Sequence, residues 1–280
     1  MENMQNFVKD YLRLLHLSCE PPTLTFLYRI IQAHIVVFPF ENISKIAYLS
    51  RVDKTAVFMP TIGSYLKYHE YYGFGGTCFT LNWYLKCLLD ALGYDCYAVM
   101  LSRQHMGIIV YLSELGGKVY VDCGAAAPFF EPVFLEKSGI YATQFGVEKV
   151  VIRHRISETV HRFERYRNGV LIGEPWYFDR EQAQSLQNFL PIIQKSFEPN
   201  RLFMSSLWCH LYGPDLSYCL SLKNNEFQIC YKDGRIVKQT LTHYEEIEQV
   251  AKAAFGLEPS FVRIAVSCIQ KNGSNIFAKI

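Results

Sequence analysis

Apolar residues recur at helical spacing through residues 5–33. Val8, Leu12 and Leu15 fall on one face and Leu27, Ile30 and Ile31 on another, with Pro21-Pro22-Thr23 breaking the run between them. The apolar stretch His34–Ile43 follows, in which Pro39 restricts Phe38 to extended backbone and so predicts a helix end there. Glu41-Asn42 comes directly after that stretch, and a charge at such a place must be exposed or paired; burial statistics favour a solvated loop residue. Residues 44–74 show mixed patterning, with Tyr65, Tyr68, Tyr71 and Tyr72 leading into Gly75-Gly76. Cys78, Leu81, Leu85, Leu88 and Leu92 then mark a helix that Gly93 stops.

The middle of the chain is rich in β-branched and aromatic residues. Tyr94–Leu101, Gly107–Leu112 and Lys118–Cys123 read as strands, the last two joined by a hairpin loop over Ser113–Gly117. Val147–Arg155 and Thr159–Arg167 continue the pattern, and Asn168-Gly169 is a hairpin turn before Val170–Ile172. Glu181–Gln194 reads as a helix with Leu186, Phe189 and Leu190 on one side. Short strands follow at Ser206–Leu211, Tyr218–Leu222, Phe227–Tyr231 and Arg235–Thr240, with turns at Asn224-Asn225 and Asp233-Gly234. His243–Phe255 is a helix capped by Gly256, and Phe261–Cys268 is a last strand-like run. The expected architecture is a helical start, an antiparallel β middle and a smaller α/β end.

One stretch stands out chemically: Gly75-Gly76-Thr77-Cys78-Phe79-Thr80-Leu81-Asn82. Two glycines permit a sharp turn, and Thr77 is placed to cap the helix that follows. Cys78 is then the first helical residue, where unpaired N–H groups and the helix dipole favour a thiolate. The competing reading is a small buried core cysteine.

Composition narrows the setting. The chain has 280 residues, half of them hydrophobic, and a net charge of +2, so it is long enough for a sizeable core and carries no basic footprint for nucleic acid. The first residues lack the basic and apolar regions of a signal peptide, and no run approaches the length of a membrane span, which together predict a cytoplasmic protein. Nine cysteines, an odd number scattered without CxxC pairs, signal neither a disulfide framework nor a zinc site, and no metal is expected.

A cysteine nucleophile needs a base, and the base needs a partner that fixes its tautomer. His105 opens the strand Gly107–Leu112, and Asp122 ends the returning strand Lys118–Cys123. Across a hairpin closed near Leu115-Gly116 the two come out roughly opposite, within reach of a hydrogen bond. The other histidines have no partner legible in sequence. No P-loop, GxGxxG or G-x-S-x-G context occurs.

These residues carry a likeness: the chain resembles the arylamine N-acetyltransferase family. The matches run in order along nearly the whole length. They are His34 followed by Pro39-Phe40-Glu41-Asn42; Gly75-Gly76-Thr77-Cys78 with Asn82; His105 before an apolar strand; Val121-Asp122-Cys123-Gly124; and a late helix ending in Phe255-Gly256-Leu257. The resemblance implies an α+β fold of a helical bundle (1–94) carrying the nucleophile, an antiparallel β-barrel (95–180) carrying His and Asp in a cysteine-protease-like triad, a connecting helix (181–202) and an α/β lid (203–280). It implies Cys78, His105 and Asp122 as the triad and acetyl-CoA as donor. An arylamine or hydrazine would be acceptor, by a ping-pong route through acetyl-Cys78 of the kind used in xenobiotic metabolism. Phe40 and Phe203 would line the acceptor pocket, and Ser102, Gly124 and Asn200 would contribute to substrate or CoA binding.

Two departures touch the nucleophile. The family pattern is Arg-Gly-Gly-x-Cys-x-Glu-x-Asn, and this chain has Phe74 for the Arg and Thr80 for the Glu, a paired loss that strands neither charge. Ala125-Ala126-Ala127 stands where the family has an aromatic residue and a second glycine. The alternative functions are a Cys-His-Asp acyltransferase, amide synthase or hydrolase with another donor or acceptor, and a CoA-binding homologue without turnover.

Overall fold

The computed structural model describes residues 2–51, 59–136, 139–154 and 156–278. In chain order the described elements are α1 (Glu2–Leu14), α2 (Leu24–Val37), β1 (Phe40–Glu41), α3 (Ile43–Arg51), α4 (Ile62–Tyr72) and α5 (Cys78–Ala91). The β-rich middle comprises β2 (Asp95–Leu101), β3 (His105–Leu112), β4 (Gly117–Val121), β5 (Val133–Phe134), β6 (Ile140–Phe145), β7 (Glu148–Arg153), β8 (Val160–Arg167), β9 (Val170–Leu171) and β10 (Trp176–Asp179). Then come α6 (Leu186–Lys195), α7 (Leu202–Ser205), β11 (Trp208–Tyr212), β12 (Tyr218–Lys223), β13 (Glu226–Tyr231), β14 (Ile236–Thr240), α8 (Tyr244–Phe255) and α9 (Pro259–Lys271).

The chain divides into two compact units, each built from two separate stretches: residues 1–37 with 81–190, and residues 38–80 with 191–280. In the first unit two antiparallel sheets share one core. One runs β2-β3-β4-β5; the other runs β10-β8-β7-β6, with β9 beside β8. Leu101, Ile109 and Tyr120 of the first sheet meet Ile152, Phe163 and Phe178 of the second in a single apolar cluster.

The expected barrel is therefore not closed. β10 and β2 are clipped together by Ser102 N–H to Tyr177 O (3.0 Å) and Tyr177 N–H to Ser102 Oγ (2.8 Å), with no ladder between them. The segment joining β4 to β5 contains Pro128 and Pro132, and Ala126 in it turns at φ 46°. The hairpin turns behave as the sequence suggests: Asn168-Gly169 takes φ 50° and 77°, a two-residue turn with both residues left-handed.

In the second unit a five-stranded sheet runs β1-β11-β12-β13-β14, and α9 packs against α3, α7 and α8. Phe261–Cys268 is here a correction: the run expected as a strand lies inside α9. Its buried residues Phe261, Val262, Ala265, Val266 and Ile269 follow a helical period, and Pro259 occupies the first turn. The aromatic and β-branched content had suggested a strand, but the spacing of apolar positions prevails. Two further elements differ from the sequence reading. The described residues of the stretch 44–74 form most of α3 and all of α4, the latter capped by Gly73 at φ 72°, while 52–58 lie outside the described residues. The helix expected from Glu181 starts at Leu186, because residue 184 is engaged in a bridge with Ala98 (Gln184 N–H to Ala98 O, 2.8 Å). Among the described residues no helix is long and apolar enough to cross a membrane.

Candidate active site

The first unit holds a buried His–Asp pair. The β3–β4 hairpin pairs Ile108 with Val121, which leaves His105 two residues out of register with Asp122, near enough for their side chains to meet. His105 Nε2 lies 2.7 Å from Asp122 Oδ2, and the two residues are 2% and 1% exposed. Tyr120 donates its hydroxyl to the same Oδ2 at 2.7 Å. The other carboxylate oxygen, Oδ1, accepts Asn82 Nδ2 at 2.8 Å and the Gly124 N–H at 3.0 Å.

Burial pushes the Asp122 carboxyl up, but the charge and hydrogen bond of His105, with the bonds from Asn82 and Tyr120, outweigh it and hold the group below its ordinary range. Asp122 is thus an anion with four donors around it. Asn82 is fully occupied in holding this arrangement, since its Nδ2 also reaches Met106 O at 2.5 Å and its Oδ1 accepts the Cys123 N–H at 2.9 Å. The neighbouring Cys123 is no rival nucleophile: burial first, and the adjacent carboxylate second, push its thiol well up.

The second unit contains the glycine turn and Cys78, which opens α5 and is 7% exposed. Both glycines are obligatory. A Cβ on Gly75 would come within 1.9 Å of Pro39 O, and Gly76 has φ 125° with the Thr80 Cβ 2.7 Å from where its own would be.

The Pro-Phe-Glu-Asn motif braces this turn. Phe40 forms a parallel bridge with Gly76, and the Glu41 N–H donates to Gly76 O at 3.0 Å. Glu41 Oε1 accepts the Gly75 N–H (3.2 Å) and the Ser44 hydroxyl (2.5 Å), and its Oε2 accepts the Ser44 N–H (2.7 Å). Glu41 is fully buried, not solvated as the sequence suggested, and its donors are neutral groups. Burial raises its carboxyl above the ordinary value, opposed by those hydrogen bonds. Asn42 reaches the other way, donating to Phe203 O (2.9 Å) and Ser206 O (2.7 Å) and accepting the Trp208 N–H (2.8 Å).

Of the residues expected to contact substrate, Phe40 and Phe203 meet edge to face, with centroids 5.4 Å apart. Gly124 lies against Asp122. Ser102 is an exposed residue of the β2–β3 turn, at φ 45°, and Asn200 is exposed on the turn before α7. Phe74, at the position of the family's Arg, is buried against Tyr48, Tyr72 and Phe261. Phe74 is thus part of an aromatic cluster, and among the described residues no cation pairs with Glu41. One buried cation does occur nearby in sequence. Lys45 is 6% exposed, with Nζ 2.5 Å from Ser196 Oγ and 3.6 Å from the centre of the Phe197 ring. Burial lowers its pKa to about 7, with Cys78 acting in the opposite direction. Among the described residues no group of His, Cys, Asp and Glu could hold a metal ion.

Residues 23–262 match the sequence profile of a family described as N-acetyltransferase. The chain belongs to the arylamine N-acetyltransferase family. Solved arylamine N-acetyltransferases share its fold. That of Mycobacterium abscessus is 15% identical with a TM-score of 0.75, covering 96% of this chain and 95% of its own. That of Salmonella typhimurium is 19% identical with a TM-score of 0.73, covering 93% and 98%. That of Mycobacterium marinum in complex with CoA is 17% identical with a TM-score of 0.70, covering 94% and 98%. No curated protein matches the chain significantly.

Asn82 holds both the carboxylate and the β3 backbone, and its position one helical turn after Cys78 is the signal for it in the sequence. The signal for Tyr120 is that it sits two residues before Asp122, which is the same-face spacing of a strand. Lys45 carried no signal, because it falls in residues 44–74, whose mixed patterning marks no element.

Proposed function

We propose that this member of the family is an acetyl-CoA-dependent N-acetyltransferase that passes acetyl to aromatic amines or hydrazines through an acetyl-Cys78 intermediate, with His105 as base and Asp122 as its orienting acid. The buried His105–Asp122 pair is the observation that carries the reading. With Nε2 committed to the carboxylate, the tautomer is set and Nδ1 is the nitrogen that exchanges a proton with a thiol.

In the first half-reaction the Cys78 sulfur attacks the thioester carbonyl of acetyl-CoA; the carbon–sulfur bond to CoA breaks, and CoA leaves as its thiol with the proton held by His105. In the second, the amine nitrogen attacks the acetyl carbonyl, His105 takes the nitrogen's proton, and the Cys78 sulfur departs. Each tetrahedral oxyanion would be met by backbone N–H groups at the start of α5, where the first helical turn has donors to spare. CoA binding by the Mycobacterium marinum relative supports the donor. The Phe40–Phe203 pair supports an aromatic acceptor, which would stack on those rings. A cytoplasmic, thiol-reducing location fits a nucleophilic cysteine.

Initial rates with acetyl-CoA and an aromatic amine varied together test the scheme. Double-reciprocal lines at different amine concentrations are expected to be parallel. Lines that intersect would mean both substrates must be bound at once and would sink the acetyl-enzyme.

A further inference from the structure

Trp176 is an element of the first unit that no step above uses. It opens β10, pairs in register with Phe163 of β8, and stacks on that ring with centroids 5.1 Å apart and planes 11° off parallel. It also stacks on His105, with centroids 4.9 Å apart and planes 22° off parallel. That separation is held from the backbone. The turn between β2 and β3 is clipped to β10 by the two hydrogen bonds joining Ser102 and Tyr177, three residues before His105 and one after Trp176.

We infer that Trp176 is a positioning residue for His105: the indole, locked in place by the Ser102–Tyr177 clip, fixes the plane of the imidazole against Asp122 and favours its protonated form. The inference rests on the role proposed above for His105. The physical reason is that an indole presents a negative π face, and a cation stacked on it is attracted, most strongly where water is excluded. β3 and β4 bring Asp122, an anion, and the Tyr120 hydroxyl to the other edge of the imidazole, and β10 adds the uncharged indole face. The Asp122 bond fixes Nε2 in the ring plane, and the parallel indole against the ring's face restricts rotation of that plane. The same clip gives Ser102 a structural task, since its hydroxyl is occupied by the Tyr177 N–H.

The test compares Trp176→Phe and Trp176→Leu with the native protein. His105 is followed by NMR of its ring against pH, with the signal assigned by its loss in His105→Gln. In Trp176→Leu the titration midpoint is expected to move to lower pH by about half a unit to one unit, while Trp176→Phe keeps most of the native value. In acetyl transfer, Trp176→Leu should lose about tenfold in kcat at neutral pH with KM for the amine little changed, as expected for an effect on proton transfer. A His105 midpoint identical in the native and Trp176→Leu proteins would overturn the inference, as would a Trp176→Phe protein impaired as badly as Trp176→Leu. The NMR arm needs no acetyl transfer, so it decides the stacking role even where the proposed activity fails; failure of that activity would be read separately, as absence of product from the native chain.

Discussion

The two units each bury a carboxyl group, and the two are shifted in opposite directions from their ordinary pKa values. Asp122 in the first unit sits below its ordinary range because burial is outweighed by the His105 charge and by the hydrogen bonds around it. Glu41 in the second is held above its ordinary value because burial dominates, its donors being backbone N–H groups and a serine hydroxyl. Equal burial with opposite shifts shows that the partners, not depth, set the direction of the shift. The difference also sorts the roles. A histidine proposed as a base needs an anion beside it, whereas a turn needs acceptors for its N–H groups, which both oxygens of Glu41 supply.

The strongest attack on this contrast is Asp122→Asn, which keeps the shape and removes the charge. We expect acetyl transfer to fall by about 10³-fold or more, since an amide N–H facing Nε2 favours the wrong tautomer. Assays alongside melting curves should show the fold retained; a drop under tenfold would mean that His105 needs no anion. The stability effect has a definite direction as well. A lowered folded-state pKa contributes stability above the ordinary value of 3.8, lost as pH falls through the lower folded value, and Asp122→Asn should abolish that acid-side loss.

Lys45 sharpens the second half of the contrast, because it is a buried cation in a unit whose buried acid does without one. Its pKa, lowered by burial to about 7 from 10.5, means that folding strains against the ammonium form. The penalty is complete below pH 7 and shrinks as pH rises toward 10.5, where both folded and unfolded lysines are neutral. Lys45→Met should therefore raise stability by a few kcal/mol at pH 6, on the order set by a shift of this size, with the gain fading in denaturant titrations run at increasing pH. Destabilisation at pH 6 would show that the ammonium is instead held by a favourable charge.

Glu41→Gln should have the smallest effect, about 1 kcal/mol at neutral pH, the scale of one altered neutral hydrogen bond. A raised folded-state pKa contributes stability that is full below 4.5 and lost as pH rises through the folded value. Denaturant melts of the Gln variant across that range should lack the slope. A loss at neutral pH as large as that of a removed ion pair would mean that Glu41 is ionised.

How much of this was legible in the sequence depends on the range over which each feature is determined. The His105–Asp122 pair could be read because a short loop fixes the register of β3 on β4. The Cys78 helix start could be read because glycines, a threonine and an apolar period are all local. The burial of Glu41 could not, since its partners include the backbone of Gly75, reached only after the chain has folded back. Trp176 was hidden for the same reason: its stacking on His105 depends on how the sheet containing β10 lies against β2 and β3, and local periodicity does not encode that. α9 was misread because aromatic and β-branched residues favour strands on average, while its burial pattern needed a period of 3.6 to be counted. Closure of the barrel was not legible either, since it depends on how β10 lies beside β2, which local patterning does not encode.

The central claim is that Cys78 carries the acetyl group between donor and amine. The most direct measurement is the intact mass of the protein after mixing with acetyl-CoA in the absence of any acceptor, beside Cys78→Ala. One added acetyl group is expected on the native chain and none on the variant, with its discharge when an aromatic amine is added. A native chain that binds CoA but gains no acetyl, or a Cys78→Ala chain that is acetylated equally, would contradict it.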